Sequence, residues 1–317
     1  IRALSHPHRR PTVADCDVLV YGPIAIDNII RIPFLPTPEV DVIPTEDIYQ
    51  IGAAAANTAL WLATWQVRTR LCGHGIGHDY GGEIVWARLQ EFPTLDISYL
   101  RRYHEHNTPM IRCLVTDDGE RSFIVLRNLS TMPVQPLTAE ILGGVKYLTL
   151  TFHADENPIA GAEVAHGMGV RAIAGDVVNP SHPTLPYLYA VSNSTAYVLE
   201  RYPGADVRAH AHTLHDAFGG IVVTTNGGNL IHVVDRDGSA FQVQPPQVNV
   251  VDATGAGDSF TAGLVYGMLQ GWALDRVVCW ATAVGALKVQ RIGAASNPAT
   301  VAEVDALAAT LHAEPVA

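Results

Sequence analysis

The stretch Val250–Leu264, VVDATGAGDSFTAGL, runs from an apolar approach through a Thr-Gly-Ala-Gly turn into a helical pattern with Phe260, Leu264 and Met268 on one face. That spacing predicts a helix opening near Gly255–Gly257. The first amides of a helix lack internal partners, and the macrodipole adds partial positive charge there. Glycine lets backbone approach an oxyanion closely. Gly255, Ala256 and Gly257 are therefore a candidate anion hole suited to phosphate. Asp258 falls in the first turn beside it. A carboxylate so placed can take the proton of an attacking hydroxyl while the hole stabilises a transferring phosphoryl group. A lone Asp would merely complement the helix terminus; its company with Asp252, Thr254, Gly255 and Gly257 favours chemistry.

Such a turn needs a layered scaffold. The apolar run Asp17–Gly22 reads as a strand buried on both faces. Further β-rich runs lie at 69–73, 146–151, 170–175, 188–192 and 220–225, with helical patterns between them at 55–65, 83–91 and 207–218. This alternation predicts a parallel sheet covered on both faces. Residues 29–51 and 108–127 break it. The first is extended and proline-marked; the second reads as two strands joined at an Asp-Asp-Gly-Glu turn. Together they predict a small antiparallel sheet that acts as a lid, as a dimer contact or as both; an edge extension of the main sheet is the plainer reading.

Composition narrows the function. Lys+Arg is 20 against Asp+Glu 31, for a net charge of −11, which disfavours binding to nucleic acid or anionic membrane. The four cysteines are far apart and show no metal-ligand spacing, which fits reduced thiols in a cytoplasm. No apolar run is long enough to span a bilayer. Residues 1–16 read as an N-terminal tail rather than a signal peptide. Neither lysine, Lys146 or Lys288, sits in a P-loop, and no Rossmann, zincin or nucleophile-elbow motif is found. The histidines, including His104, His106, His210, His212 and His215, read as solvated side chains rather than metal ligands.

DATGAGDSF, 252–260, is very similar to the C-terminal signature of the ribokinase-like PfkB family of carbohydrate and nucleoside kinases. Other stretches resemble the family in the expected order over residues 17–300. YGPIAIDNI carries a substrate-facing Asp27. IGAAAANTA, 51–59, places Gly52 and Asn57 as the N-terminal signature does. GHGIGHDYGG, 73–82, resembles a G-x-x-G-x-D-x-x-G stretch, 107–123 the lid, and RIGAAS, 291–296, the turn near the nucleotide and a monovalent-cation site. The resemblance implies a three-layer α/β/α sandwich with a mostly parallel sheet and an antiparallel β lid. The kinase domain would span 17–310, with lid segments at about 29–51 and 108–127 and a C-terminal tail at 311–317.

The resemblance further implies transfer of the ATP γ-phosphate to a hydroxymethyl oxygen of a sugar or nucleoside, with Mg²⁺ and optionally K⁺. Asp258 would be the base and Gly255–Gly257 the anion hole. Asp27, Gly52 and Asn57 would hold the acceptor. Asn193, Thr224, Asn226, Gly228, Thr254 and Gly293 would meet the nucleotide, and Asp252, Thr254 and Gly293 a monovalent cation. A carboxylate and an amide do suit a polyol, through two acceptor oxygens and a mixed donor–acceptor. Homodimerisation would run through the lid. Departures from the pattern are Ala25, Ile51 and the missing Glu near 149–152 on the acceptor side, which argue against d-ribose. On the nucleotide side, Asn193-Ser194-Thr195-Ala196 has Ala196 where the family's N-x-x-E carries a carboxylate. Three readings stand: a sugar kinase, a nucleoside kinase using an aromatic slot from residues such as Phe34, Tyr49 or Phe152, and a catalytically silent metabolite binder.

Overall fold

The structure, a computed structural model, describes residues 16–117, 121–127, 129–151 and 157–316. The strand Val18–Gly22 is buried throughout. Val18 and Val20 join one apolar core while Leu19 and Tyr21 join another. Alternate side chains thus serve opposite faces of one sheet, which is why the sequence here is apolar without a break. Parallel strands Thr69–Gly73 and Tyr147–Thr151 flank it. Leu95–Asp96 lies beyond the first; Arg171–Gly175, Ala190–Ser194 and Ile221–Asn226 lie beyond the second. The sheet finishes antiparallel through Asn229–Val234, Ala240–Val243 and Ala313–Val316, making ten strands. Helices cover both faces, so the architecture is a three-layer α/β/α sandwich. Within the stretch 311–317, expected as a tail, Ala313–Val316 forms that last edge strand, where Pro315 is tolerated because an edge strand can spare a donor.

A second sheet of four strands stands beside the first, in the order Glu46–Gly52, Ala25–Ile32, Met110–Thr116, Arg121–Arg127. Its outer pairs are antiparallel and its central pair is parallel. The hairpin expected at 108–127 is present; its turn, 118–120, lies outside the described residues. Asn28, fully buried, ties three strands together: its Nδ2 donates to Asp47 Oδ1 at 2.5 Å and its Oδ1 accepts from Arg112 Nε at 2.8 Å.

Two helices meet where the sheets adjoin. Ala54–Thr64 packs on Ala256–Leu269 and is buried along nearly its whole length. Two indoles pin the chain that follows the helix Leu274–Lys288. Trp61 Nε1 donates to Ala294 O at 2.9 Å, and Trp65 Nε1 to Ala299 O at 2.8 Å. This packing sets Asn57 of the first helix against Asp258 of the second.

Candidate active site

Gly255 precedes the helix Ala256–Leu269 with φ 74°, a left-handed conformation that favours glycine. A Cβ there would also lie 2.5 Å from Ala294 Cβ, so the turn at 252–255 and the turn at 291–295 can close on each other only because this residue has no side chain. Ala256 N donates to Ala253 O at 3.2 Å, and the bond Ser259 N to Gly255 O, 2.9 Å, starts the helical ladder. The amides of Gly257 and Asp258 precede that ladder and are the open end of the helix. A Cβ at Gly257 would meet nothing within 4 Å, so backbone there is accessible to a ligand.

Three cavities meet at this point. The first, about 440 Å³, is lined by Asp27, Asn57, Thr254, Gly255 and Asp258 on its floor and by apolar lid side chains above. The second, about 390 Å³, is lined by Thr225, Gly227, Gly228, Val248, Ala256 and Gly257. A third of about 130 Å³ lies between Thr149, Asp176, Asn193, Thr225, Gly257 and Asp258. Asp258 borders the first and third; Gly257 and Thr225 border the third and second. The arrangement is two chambers joined by a narrow throat, with the carboxylate and the open amides at the throat.

The Asp258 and Asp27 carboxylates are held above their ordinary proton affinity. Burial pushes the Asp258 carboxyl up from its ordinary value; the Asn57 amide, donating to its Oδ2 at 2.8 Å, pulls it down, the Asp176 charge raises it and the Lys288 charge lowers it, leaving it raised. Asp27 is pushed up to about 6, first by burial and then by the charge of Asp258. Around the throat, polar atoms wait for partners. Asn57 Oδ1, Thr149 Oγ1 and Asn193 Oδ1 are buried without a hydrogen bond, although all three residues line these cavities. Buried oxygens are rarely left so unless a ligand, ion or water completes them.

Comparison with known proteins agrees with this geometry. The family model described as pfkB family carbohydrate kinase matches residues 198–300. The ATP-dependent ribose-1-phosphate kinase of Halopiger xanaduensis is 26% identical, over 93% of this chain and 97% of its own. The ribokinase of Haemophilus influenzae is also 26% identical, over 88% and 94%. The structure of Arabidopsis thaliana ribokinase complexed with ribose and ATP superposes with a TM-score of 0.80 at 20% identity, covering 93% of this chain and 99% of that one. The chain is similar to PfkB carbohydrate kinases over residues 198–300 and to ribokinase-like kinases along most of its length, and it has their fold.

Asp27, Asn57, Asp252, Thr254, Gly255 and Asp258 all line the first cavity. Gly52 does not; a Cβ there would fall 2.2 Å from Asp27 Oδ2, so its place is to leave room for that carboxylate. Asn57 lies inside its helix rather than capping it. Asn193 lines the throat, and Gly228, Ala256 and Gly257 line the second cavity. Thr224, buried in its strand, Asn226 at that strand's end, and Gly293 line none of the three. Gly293 N instead donates to Asp252 Oδ2 at 2.8 Å. Asp79 caps the helix Tyr80–Gln90, accepting from Gly82 N and Thr108 Oγ1, so the 73–82 stretch is a structural turn. Phe34 and Tyr49 do not line the first cavity, and Phe152 lies outside the described residues; Phe123 is the aromatic side chain that does line it. Among the described residues, no group of three or more His, Cys, Asp or Glu could hold a metal, and no helix is long and apolar enough to cross a membrane.

Sequence reasoning missed Asp176, which follows the strand Arg171–Gly175, and Thr149, in the middle of the neighbouring parallel strand Tyr147–Thr151. Strand carboxyl ends are where open α/β sheets bind ligands, and that rule could have flagged Asp176. It also set Lys288 aside for lacking a P-loop.

Proposed function

We propose that the chain transfers the ATP γ-phosphate to a hydroxymethyl group of a sugar or sugar-like acceptor, with Asp258 as general base. The observation that carries this reading is that Asp258 borders both the polar-floored cavity and the throat, one helical residue from the open amide of Gly257. In this reading Asp27 and Asn57 orient the acceptor hydroxyls, and Asn57 Oδ1 gains its missing donor from one of them. Asp258 takes the proton of the attacking hydroxyl, its raised affinity for protons bringing it closer to working pH. The Gly257 and Asp258 amides receive charge on the transferring group. The second cavity, open along Gly227 and Gly228 and apolar at Val248, takes the nucleotide.

Magnesium fits the throat. Asn193 Oδ1 and Thr149 Oγ1 are hard oxygen donors in need of partners, and Asp176 adds a carboxylate; Mg²⁺ takes one or two carboxylates together with substrate phosphates. When bound it neutralises charge on the phosphates. Asp176 supplies the carboxylate that Ala196 lacks.

A nucleoside acceptor is the second reading. It is favoured by the apolar upper wall of the first cavity, formed by Ile29, Ile111, Val115, Phe123 and Ile292, which a base can stack against and a free sugar cannot use.

The deciding experiment is ADP release over a panel of sugars, sugar phosphates and nucleosides with the wild type and Asp258→Asn. Acceptor-dependent release should fall by about 10²–10⁴-fold in the variant while nucleotide affinity and melting temperature stay close to wild type. Near-normal turnover in the variant would remove Asp258 as the base. No acceptor-dependent release with any compound would favour a metabolite-binding role.

A further inference from the structure

Lys288 closes the helix Leu274–Lys288 and is 1% exposed. A lysine in the last turn of a helix normally runs out to water and complements the dipole. This one turns inward. Its Nζ donates to Asp252 O at 2.6 Å and to Arg291 O at 3.3 Å, and stands 3.8 Å from Asp252 Oδ2. A buried ammonium is costly unless oxygens replace its hydration, and here two carbonyls and a carboxylate do so.

Those oxygens belong to the two turns that build the open helix end. Asp252 Oδ1 accepts from Thr254 N at 2.9 Å and Oδ2 from Gly293 N at 2.8 Å, so one carboxylate staples both turns. Val289 O accepts from the amides of Val251 and Asp252 and locks the helix end to the same place. Gly255, directly behind the anion site, rests on Ala294 of the second turn. A shift of either turn moves the amides of Gly257 and Asp258.

Carbonyl oxygens with one carboxylate, around a single positive charge, make the kind of cage that holds an alkali cation. We propose that the Lys288 ammonium is a built-in monovalent cation: it fills the cage between Asp252 and Arg291, holds the turn that opens the Ala256–Leu269 helix, and makes the protein independent of added potassium. The potassium site expected at Asp252, Thr254 and Gly293 does not fit these residues. Both Asp252 carboxylate oxygens already accept backbone amides, and a tethered cation lies against the same residue. Lys288 is a positioning residue, since it acts on the phosphoryl group only through the turn. The proposal rests on the kinase reading for its catalytic consequence and on geometry alone for its structural one.

The test reads binding and stability as well as turnover. ADP affinity by calorimetry, melting temperature and turnover are measured in K⁺, Na⁺ and N-methyl-D-glucamine salts at equal ionic strength. Wild-type values should agree within about twofold across the salts, because the cage already holds its charge. Lys288→Ala should lose about tenfold or more in ADP affinity through its orphaned carbonyls, and should recover when K⁺ or ethylammonium is added. Lys288→Met, which fills the space without charge, should lose affinity and not recover. Wild type binding ADP severalfold more tightly in K⁺, or Lys288→Ala behaving as wild type in every salt, would overturn the proposal. Should Lys288→Ala fail to fold, the wild-type salt series decides alone. If wild type binds no ADP at all, the kinase reading falls, and the melting series still judges the ammonium.

Discussion

The phosphate side and the acceptor side of the site are built on opposite principles. Around the helix opening at Ala256, nearly every group is committed. Asp252 binds two amides, Lys288 two carbonyls, and Trp61 and Trp65 hold the following loop. Hydrogen bonds hold Asp252 below the ordinary carboxylate range although burial acts the other way. On the acceptor side, the lid sheet leaves Phe123, Val125, Ile124 and Leu126 exposed on both faces of one strand, and Asp27 carries a carboxyl pushed up to about 6 with a glycine cut away to fit it. The turns of the first region are locked before any ligand arrives, leaving only the amides and throat oxygens that a ligand would meet; the second is left with surface and charge that a ligand would satisfy. Pre-organisation is thus concentrated where charge develops, and adaptability where acceptors differ.

The largest effect that would sharpen this contrast lies in the throat. Asp176→Asn should weaken binding of ADP in the presence of Mg²⁺ or Mn²⁺ by about 10–100-fold, the usual range for groups that support a metal site, while metal-free ADP binding stays unchanged. Adding Ala196→Glu to that variant should recover part of the loss, since it restores a carboxylate from the neighbouring helix Thr195–Arg201. Calorimetric titration with and without metal measures both. Equal losses with and without metal would make Asp176 a structural residue and place the throat among the features fixed by packing.

How far the molecule was readable from its residues follows the same division. The central strands were legible because burial on two faces leaves a run such as VLVYG with no alternative, and the place of Asp258 was legible because it sits at a fixed offset from two glycines at a helix opening. Gly52 was legible as important but not as to why: its reason is the position of Asp27 across a strand pair, Ala25 opposite Gly52, which spacing along the chain does not show. Asp176 follows a strand whose tertiary neighbours set its meaning. Lys288 was the hardest. Its sequence context is an ordinary helix end, and only the fold brings Arg291 O and Asp252 O to its nitrogen. The last edge strand escaped because AEPV is short and carries a proline.

On the acceptor side, Asp27 gives a pH signature. Its carboxyl takes a proton more readily in the fold, at about 6, than at the ordinary 3.8. A group raised in this way adds stability below its unfolded value and loses it as pH rises through its folded one. At pH 8 the fold therefore holds an ionised, desolvated carboxylate at a cost on the order of 3 kcal/mol. Asp27→Asn should raise the melting temperature at pH 8, flatten the decline in stability between about pH 4 and pH 6, and weaken acceptor binding. Thermal denaturation across that range is the measurement. An unchanged slope would mean that the acceptor side is as well satisfied as the phosphate side, and the contrast between them would fail.

The smallest effect tests whether the acceptor side also stores backbone strain. Ala53, between Gly52 and the helix Ala54–Thr64, has φ 69° and ψ 153°, a region that side chains other than glycine rarely enter, and it lines the first cavity. Its cost is of order 1–3 kcal/mol, against which a glycine would lose up to about 1 kcal/mol through a freer unfolded chain. Ala53→Gly should therefore stabilise the protein by about 1 kcal/mol. Ala53 lines the first cavity, so any loss of acceptor affinity should appear in KM with kcat retained. Denaturant unfolding of the ligand-free protein reads the first effect and acceptor titration the second. A destabilised variant would show that the left-handed alanine is held by contacts worth more than its strain, and that the acceptor wall, like the phosphate turn, is fixed before binding.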